Sequence, residues 1–101
     1  MAELNEVIHQ TVRLRIVAAL AALEADARVD FTYVKNLLKL SDGNLGAHLM
    51  KLEEAGYLVQ EKTFVERKPR TYLHLTTEGR TAFEQHVAAL KAILGDGSLG
   101  G

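Results

Sequence analysis

The chain contains no cysteine and only one proline among its 101 residues. Without cysteine it can form no disulfide, no thiolate metal site and no cysteine nucleophile. It also lacks any apolar run near the roughly 20 residues that a membrane-spanning helix requires, and its first ten residues are acidic and polar, unlike a signal peptide. We therefore expect a cytoplasmic protein without membrane contact, which draws part of its stability from association with a second copy.

An excess of positive charge is also missing, because the formal net charge is −1 and charged residues make up 25% of the chain. Proteins that bind nucleic acid without sequence preference are usually basic, so the overall composition argues mildly against DNA as a partner. The length fits a single domain, and the 48% apolar content fits a folded chain with one core. The question of DNA therefore depends on whether several cations share a face.

Two stretches in the first half of the chain predict helices. Residues 11–25 contain strong helix formers without glycine or proline. Besides a stripe for the core, this helix has a second small apolar stripe formed by Leu14, Ala18, Ala21 and Ala25. The second stripe either meets a partner subunit or consists of alanines that are simply good helix formers on the surface. Residues 31–38 predict the next helix, for which Asp30 is a suitable N-cap.

A third helix is predicted from Ser41 to about Ala55. Ser41 is its N-cap candidate, and Gly56 stands where a left-handed residue commonly ends a helix. Its buried face, at helical spacing, would be Leu45, Leu49 and Leu52. Because three or four residues join this helix to the preceding one, the pair has the spacing of a helix-turn-helix.

The outward face of this third helix has small side chains. Its members are Gly43, Asn44, Ala47 and Lys51, flanked by Gly46 and His48. A glycine inside a helix costs about 1 kcal/mol relative to alanine, and close approach of the backbone to a DNA major groove is one reason to tolerate that cost. Asn44 could read an adenine edge, and Lys51 could reach a phosphate or a guanine. The alternative is a marginal helix in which the glycines have no function.

The next segment predicts a β-hairpin. Residues 57–66 and 71–75 are rich in strand-forming side chains. Proline cannot continue a paired strand, so we expect the turn at residues 67–70 with Pro69 at the hairpin tip. The cations of the hairpin are Lys62, Arg67, Lys68 and Arg70, against two glutamates. A charged hairpin is usually only solvated, but one that follows a helix-turn-helix fits contact with phosphates or with a narrow minor groove.

A final helix is expected to begin at Thr76 or Thr77 and to run to about Leu94. Its apolar stripe contains Phe83, Val87, Leu90 and Leu94 and is widened by Ala82, Ala89 and Ile93. The width of this stripe indicates that the helix is covered by a partner subunit as well as by the core. Residues 95–101 are glycine-rich and predict a flexible tail.

Taken together, these segments resemble the small winged helix-turn-helix regulators of bacteria and archaea that are related to the ArsR and MarR families. The matching residues are RLRIV at 13–17, LSDGNLGAHLMKLEEAGYL at 40–58, RKPRTYLHLT at 67–76 and TTEGR at 76–80. The resemblance implies an α+β, mainly helical fold, a winged helix-turn-helix with a C-terminal dimerisation helix. It also implies a homodimer that binds double-stranded DNA at palindromic operators and controls transcription without a cofactor.

The resemblance also implies site residues by position. The implied DNA contacts are Asp42, Gly43, Asn44, Ala47, His48 and Lys51 on the helix, with Arg67, Lys68 and Arg70 on the hairpin, or wing. The expected dimer interface rests instead on the second apolar stripe of the first helix and the wide stripe of the last one, and its residues are Leu14, Ala18, Ala21, Phe83, His86, Val87, Leu90 and Leu94. Residues 1–94 would form the DNA-binding domain with its terminal dimerisation helices, and residues 95–101 the tail.

Some features depart from the pattern of these regulators, and others predict no specific function. Gly46 and Ala47 stand where many relatives carry larger side chains, so we expect little direct base readout, and Asp42 would repel phosphate unless it serves only as a cap residue. Metal sensing finds no support, because cysteines are absent and the four histidines lack paired ligand spacing. His86 is either an ordinary interface histidine or a pH-sensitive dimer contact. No small-molecule effector is indicated.

Two hypotheses for function remain. No phosphate-binding glycine loop or catalytic constellation occurs, so we do not expect an enzyme. The first hypothesis is a homodimeric, sequence-specific DNA-binding transcriptional regulator. The second is a winged-helix protein–protein interaction module without DNA binding, which the net charge of −1 and the small outer helix face would suit.

Overall fold

The computed structural model describes residues 4–25 and 27–95. Within them the elements are α1 (Glu6–His9), α2 (Thr11–Ala21), β1 (Val29–Asp30), α3 (Phe31–Leu38), α4 (Asp42–Glu54), β2 (Leu58–Val65), β3 (Lys68–Leu75) and α5 (Thr77–Gly95). The strands form one antiparallel sheet in the order β1-β3-β2. The predicted α+β, mainly helical winged helix is thus confirmed, while the predicted tail lies outside the described residues except for Gly95.

Local side-chain signals place α3 and α4 as predicted. The Asp30 carboxylate accepts a hydrogen bond from the backbone N–H of Thr32 at 2.7 Å, which caps α3. The Ser41 hydroxyl accepts from the backbone N–H of Asn44 at 3.1 Å, which caps α4. After α4 the chain turns at Gly56, whose φ of +82° lies in the left-handed region that favours glycine.

The core fixes which side of α4 faces outward. The three leucines predicted for its inner face, Leu45, Leu49 and Leu52, are all fully buried. They pack in one cluster with Ile16, Val17, Leu20, Val34, Leu38, Leu58, Leu73 and Leu75. Full burial of a side chain of this size contributes about 1.5–3 kcal/mol. The leucine face therefore holds α4 against α2, α3 and the sheet, and leaves its small face exposed.

The predicted helix at residues 11–25 was too long, because α2 ends at Ala21, and the short α1 before it was missed. The end of α2 is set by a residue far away in the sequence. The Arg80 guanidinium donates from Nη1 to the Ala21 carbonyl at 3.0 Å and from Nη2 to the Leu23 carbonyl at 3.4 Å. A cation that satisfies the last carbonyls of a helix stabilises its C-terminus. Helix propensity alone could not reveal this contact between α5 and α2.

Replacing Arg80 by alanine is expected to lower the free energy of unfolding by about 1.5–3 kcal/mol, because two part-buried carbonyls lose a charged donor. Urea unfolding followed by circular dichroism measures this change. Lys91→Ala, at an exposed position of the same helix, is the matched control and should change the free energy by less than about 0.5 kcal/mol. Equal effects of the two variants would contradict the role given to Arg80.

The hairpin turn lies two residues earlier than predicted. The turn residues are Glu66 and Arg67, with φ of 53° and 68°, and the flanking pair is Val65 opposite Lys68. Two consecutive left-handed residues form the two-residue turn whose twist matches a hairpin. Neither glycine nor asparagine occupies these positions, so no residue type there predicts a turn.

Pro69 therefore lies in β3, opposite Phe64, and not at the tip. In an antiparallel hairpin the pair that flanks a two-residue turn exchanges hydrogen bonds, and the next pair does not. The missing N–H of Pro69 consequently points away from β2. On its other side β3 pairs with β1 only at Tyr72 and Leu73, so the proline breaks no ladder within the described residues.

None of the helices described here is both long and apolar enough to cross a membrane.

Candidate nucleic-acid interface

A groove of about 540 Å³ separates the exposed face of α4 from the hairpin. Its helix wall is formed by Gly43, Gly46, Ala47 and Met50, whose spacing puts them on one face of α4. The facing wall is formed by Phe31, Gln60, Lys62 and Thr71. A Cβ built on Gly43 or Gly46 would meet no heavy atom within 4 Å. Packing inside the chain therefore does not require these two glycines, and the space beside them is open to a ligand.

The free positive charge of the hairpin is concentrated near its tip. Lys62, Arg67 and Lys68 are exposed and form no ion pair with any described residue. Arg70, in contrast, pairs with the Asp30 carboxylate at 3.1 Å. The tip is thus more positive than the net charge of the whole chain suggests.

The glutamate at the base of the hairpin is neutralised by a residue that sequence reasoning missed. Glu61 pairs with Arg28 at 3.3 Å, and the Arg28 guanidinium also stacks on the Tyr72 ring at 4.5 Å from its centroid. Arg28 precedes β1 and gave no motif signal. Its effect is to remove the repulsion that Glu61 would exert on an anion bound beside the hairpin.

The remaining predicted contacts on α4 are all near the groove or on the edge of the helix. Asn44, Ala47 and Lys51 are exposed. Asp42 lies in the first turn of α4 and pairs with the Lys35 ammonium at 3.0 Å. Lys35 therefore offsets the carboxylate that would otherwise repel phosphate, and this pair ties α3 to α4 across the helix-turn-helix.

His48 is held in one orientation by Arg13. Arg13 donates from Nε to the Val7 carbonyl at 2.6 Å and places Nη1 3.3 Å from His48 Nδ1. Since arginine can only donate, His48 Nδ1 accepts and its Nε2 carries the hydrogen. Burial first, and the Arg13 charge second, lower the pKa of His48 below its ordinary value. At neutral pH the edge of α4 therefore presents a neutral N–H donor.

Apart from His86, the residues predicted for a dimer interface divide into exposed and half-buried side chains. Leu94, with 72% of its surface exposed, lies near the C-terminal end of α5 beside Ile93, which is 60% exposed. Ala18 is exposed, and the half-buried members are Leu14, Ala21, Phe83, Val87 and Leu90. The exposed fraction of the apolar stripe on α5 thus increases toward the C-terminal end of the helix.

The structure corrects the assignment of His86 to the interface. Its side chain is only 1% exposed within a single chain, because α1 covers it. His86 Nδ1 accepts a hydrogen bond from the backbone N–H of Asn5 at 3.0 Å, and its ring lies 5.4 Å from the ring of His9. Since the sequence did not reveal α1, it placed this histidine on the surface.

Lowering the pH is expected to destabilise the fold through His86. Burial first, and the neighbouring His9 second, lower the pKa of His86 from its ordinary value of 6.5. The unfolded chain therefore binds the proton more readily, so stability is fully present above pH 6.5 and is lost as the pH falls from there toward the folded pKa. Urea unfolding at pH 7.5, 6.5 and 5.5 measures the slope. His86→Gln should reduce the dependence of the unfolding free energy on pH only in part, because His48 acts in the same direction. An unchanged dependence would contradict the role given to His86.

Several known proteins are similar to this chain in sequence or in structure. The family model described as winged helix DNA-binding domain matches residues 12–94. An uncharacterized protein of Methanocaldococcus jannaschii is 37% identical over 82 residues, which are 81% of this chain and 86% of that protein. A transcriptional regulator homologue from Pyrococcus horikoshii OT3 has a TM-score of 0.84 at 27% identity, covering 94% of this chain and 91% of that one. FabT of Streptococcus pneumoniae, solved in complex with DNA, has a TM-score of 0.58 at 21% identity, covering 87% and 63%. These matches confirm the predicted resemblance to winged-helix regulators.

Proposed function

This chain belongs to the winged helix DNA-binding domain family, and we propose that it is a homodimeric, sequence-specific transcriptional regulator that binds double-stranded DNA. In this proposal α4 enters the major groove and the hairpin contacts the backbone or the adjacent minor groove. Residues 1–94 serve as the DNA-binding domain with its terminal dimerisation helices. The fold and the family point to a protein that is not an enzyme.

The groove between α4 and the hairpin carries this proposal. A DNA strand that runs along the groove would have the major groove on its α4 side and the minor groove on its hairpin side. The small side chains of Gly43, Gly46 and Ala47 allow the strand to approach the helix closely, and Lys62 lies on the opposite wall. Phosphate contacts position a protein on the duplex, and the unpaired cations at the hairpin tip suit that role. FabT, which has the same fold, has been solved with DNA.

Dimerisation is supported by the uncovered apolar surface of α5. Ile93 and Leu94 are the most exposed large apolar side chains on this helix, and a second α5 packed against them would remove them from water. A twofold dimer would present two copies of α4 to a palindromic site, provided that they lie about 34–36 Å apart. Static light scattering at tens of micromolar protein tests this step, and a monomeric mass would contradict it.

DNA binding is tested by selection from random duplexes, followed by anisotropy titrations of the selected duplex at several salt concentrations. We expect log K to fall linearly with log salt, with a slope of about −0.9 for each phosphate neutralised. The control is a scrambled duplex of equal length, which should bind more weakly at every salt concentration. If no duplex is enriched and none binds at low salt, the proposal fails and the protein–protein interaction module becomes the better description.

A further inference from the structure

The hairpin bears an apolar pair close to its basic tip. Phe64 is 72% exposed and lies directly opposite Pro69, which is also exposed. The free cations of the hairpin flank this pair along the chain, with Lys62 before it on the same strand and Arg67 and Lys68 in and beside the turn. Exposing a phenyl ring to water is unfavourable, and nothing in the described part of the chain covers it.

The strand register places this pair on the face of the hairpin that looks toward α4. Side chains alternate along a strand, so Phe64 shares a face with Lys62 and with the buried Leu58. On β3, Pro69 shares that face with Thr71, because directly opposed residues of an antiparallel pair point to the same side. Lys62 and Thr71 line the groove. The pair of Phe64 and Pro69 therefore lies one step beyond the groove wall, about 7 Å further along the hairpin.

We propose that Phe64, backed by Pro69, is a wedge that enters the minor groove of bound DNA, partly unstacks one base step and bends the duplex. This inference rests on the proposed DNA-binding function and deepens it. A strand that lies in the groove has its minor groove on the hairpin side, and Phe64 lies near the outer end of the hairpin, which would enter that minor groove. The positive charge around the ring favours DNA as the occupant over an apolar protein surface, which would have to desolvate those cations.

The wedge adds a source of sequence preference to the limited base readout of α4. The outer face of α4 offers few side chains that can read base edges, because Gly43, Gly46 and Ala47 form its centre. Apolar side chains inserted between base steps kink DNA by about 20–90°. The energetic cost depends on the step, and pyrimidine–purine steps such as TA and CA/TG are the easiest to unstack. Phe64 is therefore expected to select such a step at a fixed distance from the bases that α4 contacts.

The experiment uses the full chain and a duplex selected from random sequence by that chain. Resonance energy transfer between dyes at the two ends reports the bend, and 2-aminopurine at the expected step reports unstacking. Phe64→Thr keeps a strand-forming residue but removes the ring, and we expect it to abolish the bend and the 2-aminopurine signal. It should also reduce the preference for a pyrimidine–purine step by about tenfold in each half-site, the effect of losing recognition at one base-pair position per protomer. Because no charge changes, the salt slope should stay the same.

Two further variants make the test specific. Val65→Thr changes the neighbouring residue, which lies on the opposite face of β2, and should leave the bend unchanged. Phe64→Leu retains an apolar wedge and should keep most of the bend.

DNA that binds without bending, or that bends equally with Phe64→Thr, overturns the wedge and leaves DNA binding intact. Absence of any selected duplex overturns both proposals. If Phe64→Thr has the mass of a monomer in light scattering, but the dimers that still bind DNA bend it as before, the ring makes a contact between subunits. That result would also refute the wedge.

Discussion

Replacing Gly79 by alanine is expected to lower the free energy of unfolding by more than about 3 kcal/mol, the range that marks a severe packing defect. A Cβ at this position would lie 2.0 Å from the Tyr57 carbonyl oxygen and 2.8 Å from its carbon. Both atoms belong to the backbone, so no side-chain rotation can relieve the clash. The two segments would have to separate.

The separation would break a small network that joins the start of α5 to the end of α4. The Tyr57 carbonyl accepts from the backbone N–H of Thr76 at 3.0 Å. The Thr76 hydroxyl donates to the Gly56 carbonyl at 2.6 Å and accepts from the backbone N–H of Gly79 at 2.9 Å. Since Thr76 follows β3 and Gly56 precedes β2, this network closes the base of the hairpin. Gly79→Ala should therefore loosen the hairpin as well as α5.

Urea unfolding of Gly79→Ala measures the effect, and the chain contains a matched control. Gly46 is also a helical glycine, but a Cβ there meets nothing within 4 Å. Gly46→Ala should raise the free energy of unfolding by about 0.5–1 kcal/mol, because alanine is the better helix former. If close approach to DNA is the reason for the glycine, the same variant should bind DNA more weakly although it is more stable. A Gly79→Ala protein as stable as the original would refute the packing described here.

Features that depend on neighbouring residues could be predicted from the sequence. Asp30 and Ser41 were predicted as helix caps because a short polar side chain bonds to N–H groups two or three residues away. Gly56 was predicted as the end of α4 because few other residues adopt positive φ. The leucine face of α4 followed from helical spacing, and the small outer face is simply its complement. These signals were sufficient to identify the helix-turn-helix.

Features that depend on distant partners could not be predicted in this way. The end of α2 is set by Arg80, and the burial of His86 is set by α1, which is only four residues long. At the candidate site, the positions of the hairpin cations can be read from the sequence, but their ion pairs cannot. Only the structure shows that Arg70 is occupied by Asp30. The turn at Glu66 and Arg67 was missed because both residues adopt a conformation that their types seldom favour.

The double variant Arg67→Gly with Lys68→Thr is expected to reduce the DNA affinity of the dimer by about 10,000-fold, since two charged contacts of about 1.5 kcal/mol each are lost on each of its two wings. The salt slope of the dimer should become shallower by about 4, one unit for each of the two phosphate contacts on each of its two wings. Affinity should fall by a similar factor on selected and scrambled duplexes, because phosphate contacts carry no sequence information. Anisotropy titrations on both duplexes at several salt concentrations measure these quantities.

Stability is expected to remain unchanged or to increase in this variant, which separates the loss of binding from any loss of folding. Arg67 has a φ of 68°, and a non-glycine residue held in that region costs of the order of 1 kcal/mol or more. Glycine at this position removes the cost. Threonine at position 68 is a strand former at an exposed site of β3.

The matched control is Glu66→Asn in the other turn position. Glu66 also has a positive φ, of 53°, and asparagine adopts that conformation more readily than glutamate. Arg67→Gly alone and Glu66→Asn should therefore both stabilise the hairpin. Their effects on DNA should be opposite, because one removes a positive charge from the tip and the other removes a negative one. If both variants raise the free energy of unfolding and neither changes DNA affinity, the hairpin tip is excluded from the DNA interface. The two substitutions would then affect only the geometry of the turn.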